Sequence, residues 1–311
     1  MSTIHEAITA YLALRRGLGF KLRDAGRWLG QFASFLEQHG AEYITTQLAL
    51  DWATQPVRVH PAYLTRRLSV VRGFAQYRSA SDPRTQVPPL ALLPHRFRRK
   101  APYIYTDDEI GRLLDAAARL PSKTGLRPRT HVTLLGLLVV TGMRISEAVA
   151  LDRQDVDLPA AVLTIRRSKF GKSRLVPVHA STCRALECYA QCRDTIQPRP
   201  RTARFFVGEH GKGLTDWAAR GTFVRLSHEV GLRGPADRRG PRLHDLRHRF
   251  AVSTLLRWYR SGIDVERHLP ELSTYLGHGN VTDTYWYLSA VPELMRLVAA
   301  RLESQAPGGS S

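Results

Sequence analysis

The chain has 311 residues, 43% of them hydrophobic, and its 46 Lys+Arg against 27 Asp+Glu leave a formal charge of +19 and a pI near 10.6. That length allows two domains with cores of their own, and the charge exceeds what solubility needs, so a polyanion such as nucleic acid is the first partner to consider. No run reaches the roughly 18 apolar residues a membrane span requires, and Cys183, Cys188 and Cys192, odd in number and without CxxC spacing, argue against a disulfide framework or a zinc site and fit a reduced compartment.

The opening MSTIHEAITAYLALRR carries Glu6 inside its apolar stretch and predicts a helix rather than a signal peptide. Residues 1–80 predict four helices. Ile4, Ile8, Tyr11 and Leu12 keep a helical period until Gly17 and Gly19, and Trp28, Leu29, Phe32, Phe35 and Leu36 keep the next until Gly40. Thr45 or Thr46 can cap a short third helix, and a fourth follows Pro61 with Leu64, Leu68, Val71 and Phe74 on its apolar side. Arg66, Arg67 and Arg72 lie off that side. They are candidates for phosphate contact, although a solvated face fits them equally.

From 81 to 104 Pro83, Pro88, Pro89, Pro94 and Pro102 exclude a continuous helix, and His95–Lys100 concentrates charge in Arg96, Arg98, Arg99 and Lys100. This predicts a basic interdomain linker whose cations could each add a sequence-independent phosphate contact, or simply a solvated hinge. A second domain, 105–304, opens on a capping box of Thr106 and Glu109. His131–Gly142 is apolar almost all round, the mark of a buried helix. Arg144 follows at a turn before a new helix near Ser146. A cation there needs an anionic partner: a ligand, or Glu147 three residues on. Val162–Val178 alternates about a Lys-Phe-Gly-Lys turn and predicts a β-hairpin with Lys169 and Lys172 at its tip, where lysines usually protect an edge.

The three cysteines fall in one helix near 180–195. Gly208–Gly213 lacks phosphate-loop spacing, and the histidine of His228–Leu232 has no second histidine for a zinc-protease motif. In Leu243–Ala251, LHDLRHRFA, the three-residue step from His244 to Arg247 puts both on one helix face. In Leu276–Leu288 His278 and Tyr287 are nine apart, about 900° on one helix and so on opposite faces. Gly277, Gly279 and Asn280 predict a turn instead, with Thr282 capping a fresh helix that returns a tyrosine toward the histidine. Tyr285 and Tyr287 differ by roughly 200°, so only one can face the site. A last amphipathic helix begins near Pro292, and 305–311 is expected to be disordered.

Taken in this order, Gly142–Glu147 (GMRISE), the hairpin lysine, LHDLR and LGH nine residues before a tyrosine resemble the tyrosine recombinase, or phage integrase, family. The resemblance is strong over about 105–290 and extends to the first domain by architecture. It implies a mixed fold: an all-α core-binding, SAM-like domain, then a mainly α catalytic domain with a small β-sheet (α+β), together a C-shaped clamp on double-stranded DNA. It places the catalytic set on Arg144, Lys169, His244, Arg247, His278 and Tyr287; Lys172, at the hairpin tip, is a candidate DNA contact from its position alone. The arginines would neutralise the scissile phosphate, His244 accept the tyrosine proton, Lys169 protonate the leaving 5′-oxygen and His278 hold the phosphate. No cofactor and no metal are implied. The implied function is site-specific breaking and rejoining of DNA through a 3′-phosphotyrosyl intermediate, by a cytoplasmic protein that is a monomer or weak oligomer when free and a homo- or hetero-tetramer on a synaptic complex. Leu-Ser-Ala after Tyr287 and a long Trp258–Leu272 connection point to a small mobile-element integrase or transposase. The rival readings are a type IB topoisomerase and a non-catalytic DNA-binding regulator. Decay to the latter should remove catalytic residues, and all six are present.

Overall fold

A computed structural model describes residues 3–93, 101–166, 173–237, 239–290 and 292–305. The chain divides into two compact units, 1–100 and 101–311. In the first, helix α1 (Ile4–Gly17) starts at a reciprocal cap in which Thr3 Oγ1 accepts from Glu6 N and the Glu6 carboxylate accepts from Thr3 N. Helices α2 (Arg23–Gln38), α3 (Thr46–Thr54) and α4 (Pro61–Arg78) follow, α3 begun by the Thr45 hydroxyl and α4 by a proline at its first position, where no N–H is needed. Their apolar stripes meet in one core around Leu29, Phe32, Leu36, Trp52, Val71 and Phe74.

Much of the stretch expected as linker is packed. Gln86 N donates to Ile44 O while Gln86 Oε1 accepts from Thr46 N, buried Asp82 pairs with Arg78 and Arg84, and Leu93 covers the first core. Proline excludes helix here, as the sequence implies, but an extended backbone still has carbonyls and intervening N–H groups to satisfy, and it finds them on the first unit. Residues 94–100 lie outside the described residues.

The second unit is mostly helical with one small sheet. It contains α5 (Asp107–Ala118), α6 (Leu126–Thr141), the short α7 (Ile145–Ala148) and three antiparallel strands in the order β1 (Val156–Asp157), β2 (Val162–Ile165) and β3 (Arg174–Pro177). Leu163 faces Val176 in the β2–β3 register, both buried. Helices α8 (Ala180–Ile196), α9 (Asp216–Glu229), α10 (Leu243–Arg260), α11 (Val265–Leu276), α12 (Thr282–Ala290) and α13 (Pro292–Gln305) complete it.

Two hydrophobic clusters build this unit, and α10 runs through both. Its first turns place Leu243 and Leu246 in the larger cluster with α5 and α6, and its later turns place Ala251, Val252 and Leu255 in the smaller one with α11 and α12. Arg247 and His248 therefore sit where the cores adjoin, each less than 9% exposed. No helix among the described residues is long and apolar enough to cross a membrane.

Candidate active site

The site is assembled on the ends of two helices that stop at left-handed glycines. Gly142 closes α6 with φ +60°, and Gly277 closes α11 with φ +68°. At the second, Gly277 N donates to Thr274 O and His278 N to Ser273 O, which satisfies those two carbonyls and leaves the next three open. Arginines take all three. Arg174 Nε donates to Tyr275 O (2.8 Å), Arg247 Nη2 to Leu276 O (2.7 Å) and Arg144 Nη2 to Gly277 O (3.0 Å). Arg247 Nη1 also donates to Gly142 O at 3.0 Å, so one guanidinium ties the two helix ends together. The negative end of α11 offsets part of the repulsion among three cations, of which Arg247 is buried and Arg144 and Arg174 are partly buried.

Glu147 supplies a full counter-charge. Its carboxylate accepts from Arg144 Nη1 (2.7 Å) and from both terminal nitrogens of Arg174 (3.1 and 2.8 Å), and through Arg144 N (3.0 Å) it closes the first turn of α7. Burial alone would raise this carboxyl, but the hydrogen bonds and charge of Arg174, with those of Arg144, hold it at about 2. Arg144 is thus paired with Glu147, the structural alternative, and also belongs to the arginine cluster. Burial, then the nearness of Arg144, lowers Arg247 to about 10, still cationic at neutral pH.

His244 lies at the open edge of α10, more exposed than its neighbours. Desolvation and then the charges of Arg247, Arg242 and Arg144 pull its imidazole below the usual histidine range, a pull partly offset by the Asp245 carboxylate. After the Gly277 turn, His278 Nδ1 bonds Thr284 Oγ1 at 2.6 Å, and α12 begins at Thr282, whose N–H and hydroxyl both donate to Asn280 Oδ1. Asn280, not Thr282, supplies the capping oxygen. That turn carries Tyr287 back to α10 with its ring stacked on His278 at 6.5 Å and only 1% exposed, whereas Tyr285 is 47% exposed.

The Tyr287 hydroxyl bonds His248 Nδ1 at 2.8 Å. Neither His248 nor Arg174 stood out in the sequence. His248 is one helical turn after His244, a spacing that puts both on one face, and Arg174 is the first residue of a strand beside two better-placed lysines.

Five of the six expected catalytic residues, Arg144, His244, Arg247, His278 and Tyr287, therefore come together, while Lys169 and Lys172 lie outside the described residues. So do Arg96, Arg98, Arg99 and Lys100. In the first unit Arg66 is exposed beside Asp24 and over Trp28, compatible with a phosphate contact. Arg72 donates from Nε to Pro88 O, fastening the post-α4 segment. Arg67 differs from expectation: 6% exposed, its guanidinium lies 3.7 Å from the Trp52 ring centroid and donates to Trp52 O. Its long apolar stem and flat cation favour that indole over water, so its placement is that of a core residue.

A family model described as the phage integrase family matches residues 104–293. The Sinorhizobium fredii protein y4rB, named as an integrase/recombinase, is 51% identical over 97% of this chain and 98% of its own length. Tyrosine recombinase XerD of Mycobacterium tuberculosis is 29% identical over 95% of this chain and 96% of its own. Among solved structures, the Tn1549 transposon integrase in complex with transposon right-end DNA superposes with a TM-score of 0.70 at 17% identity, covering 98% of this chain and all of that one.

Proposed function

Because this chain belongs to the phage integrase family and is a tyrosine-type site-specific recombinase, we propose that it cleaves and rejoins DNA through Tyr287, with Arg144 and Arg247 on the non-bridging oxygens of the scissile phosphate. A phenol with a pKa near 10 is ionised in only about one molecule in a thousand at pH 7, and its attack on a phosphodiester is opposed by like charge. Two guanidiniums on rigid helix ends lower that repulsion and stabilise the charge that builds on the pentavalent phosphorus. His278 braces the tyrosine ring and, on the family pattern, holds the phosphate. Lys169 is the assigned acid for the leaving 5′-oxygen. A 3′-phosphotyrosine keeps the bond energy, so resealing needs no external energy source.

The observation that carries this reading is the convergence on the end of α11: consecutive carbonyls hold the arginines, and the next turn brings a buried tyrosine back beside them. Double-stranded DNA is the partner. We read residues 1–80 as a DNA-binding core-binding domain and 105–304 as the catalytic domain, in a cytoplasmic protein acting on nucleoid DNA as a synaptic tetramer of itself or of related recombinases. The resemblance to y4rB and the Tn1549 integrase supports a mobile-element integrase, for integration, excision or transposition.

The test is to incubate the protein with a pool of nicked duplexes of randomised sequence, recover protein-linked strands on a denaturing gel and sequence them. Wild type and Tyr285→Phe should yield covalent adducts enriched in one sequence. Tyr287→Phe should yield none while still binding duplex. An adduct from Tyr287→Phe would reject the assignment.

A further inference from the structure

When Tyr287 attacks, the hydroxyl proton must go to a base. The family resemblance gives that task to His244, yet among the described residues no hydrogen bond joins His244 to Tyr287. The imidazole on the hydroxyl is His248, 6% exposed, its Nδ1 2.8 Å from the phenolic oxygen. Its Nε2 faces Asp245 Oδ1 at 3.9 Å, and Asp245, 2% exposed, is itself fixed by Arg242 N (2.7 Å) and Arg242 Nη2 (2.9 Å). A carboxylate beside Nε2 favours the tautomer protonated there, which leaves the Nδ1 lone pair to accept the tyrosine O–H. Nucleophile and base are thus hydrogen-bonded and a carboxylate lies 3.9 Å from the base's far nitrogen, within electrostatic though not hydrogen-bond reach, an order of groups like that which activates hydroxyl nucleophiles generally.

We propose that His248, oriented by Asp245, takes the Tyr287 proton during strand cleavage, while His244 stands at the open edge to contact the phosphate. This rests on the reading of Tyr287 as nucleophile. In the step, the tyrosine oxygen forms the bond to phosphorus, its proton passes to His248 Nδ1, and the bond to the 5′-oxygen breaks with that oxygen protonated by the leaving-group acid. The resulting imidazolium is balanced by Asp245. Resealing runs in reverse: the 5′-hydroxyl attacks phosphorus and His248 returns its proton to the departing phenol.

The surroundings fit the division of roles. Among the groups facing His248 are His244 and Asp245 on its own helix and Tyr287 and Trp286 on α12, with His278 behind the phenol. Tyr105, just before α5, donates its hydroxyl to Arg242 O and so bears on the same corner. Burial, then the cations Arg247, Arg242 and Arg144, depress His244, which makes it a poor proton acceptor at neutral pH but lets it offer an N–H to a phosphate oxygen.

The experiment measures single-turnover covalent adduct formation against pH, on a nicked duplex recovered as described above. Wild type should lose rate on the acid side with a single-proton limb. His248→Asn, which can still bond the hydroxyl but cannot take a proton near pH 7, should be slower by at least about 100-fold at pH 7. It should lose the limb and gain rate steadily toward the ionisation of tyrosine itself. His244→Asn should be slower but keep the limb. A His248→Asn profile within about threefold of wild type across the range, or loss of the limb in His244→Asn alone, overturns the proposal. An adduct from Tyr287→Phe would instead remove the reading beneath it. If His248→Asn fails to bind duplex, imidazole ¹⁵N spectra of the wild-type protein decide: His248 protonated on Nε2 supports the assignment, and protonation on Nδ1 overturns it.

Discussion

Glu147 shows how much one carboxylate can hold. Its ordinary value of 4.5 falls to about 2 in the folded protein, and its side chain is 5% exposed. Because the folded value is the lower one, its stabilisation is complete above pH 4.5 and is lost as pH falls from there toward 2; at about 1.4 kcal/mol per unit this amounts to about 3 kcal/mol. Glu147→Gln should therefore lower stability at pH 7 by about that much and match wild type near pH 2, as read from urea midpoints across pH. Equal midpoints at pH 7 would mean that the carboxylate does not restrain the arginines. At this scale the sequence was informative where chemistry and spacing coincide. Arg144 followed by Glu147, and His278 separated from Tyr287 by a glycine-rich turn, could be read directly. His248 could not, since helical spacing says that it shares a face with His244 but not which face α12 covers. Arg67 misled for a related reason: an arginine beside an apolar stripe looks solvent-facing until a tryptophan from another helix is set against it.

At the level of elements, the glycine caps matter more than the helices they end. Gly142 and Gly277 each combine a left-handed backbone with crowding: a Cβ on Gly142 would lie 2.7 Å from Phe250 Cδ1, and one on Gly277 2.6 Å from Arg174 Nη1. Gly142→Ala and Gly277→Ala should each lose about 1–3 kcal/mol, and because each carbonyl holds an arginine proposed to meet the scissile phosphate, adduct formation should fall further than duplex binding. Gly136→Ala is the control. It lies inside α6 with nothing within 4 Å of the new Cβ, so it should be neutral or stabilise by up to about 1 kcal/mol. Equal effects at all three positions would show that the caps have no special part in the site. The sequence marked both glycines as helix stops, and the hairpin, the Thr106–Glu109 capping box and the break before α12 were equally legible from local pattern. What local pattern cannot carry is partnership at a distance. Residues 81–93 looked like a linker because prolines forbid helix, and partners far back in the chain, among them the carbonyl of Ile44 and the amide of Thr46, reveal that they are packed.

For the molecule as a whole, the excess of 46 basic over 27 acidic side chains dictates how DNA binding should respond to salt. If about eight phosphates are neutralised, the log–log slope of non-specific duplex affinity against salt should be near −7; a slope near zero would remove the electrostatic argument. A second consequence comes from the end of α11, where Arg144, Arg174 and Arg247 converge with Glu147 as the carboxylate bonded to two of them. Folding brings these cations together before any DNA arrives, so the native state carries a local excess of positive charge and should bind small oxyanions that the unfolded chain does not. Inorganic phosphate then acts as a ligand of folding: at tenfold above its dissociation constant it would add about 1.4 kcal/mol, a rise in melting temperature of about 3–6 °C for a domain of this size. Chloride at matched ionic strength should not reproduce the rise, and Arg144→Ala should shrink it. The same linkage predicts that the free protein is most vulnerable to unfolding when it is away from DNA, so that occupancy of a duplex also sets how long a molecule survives.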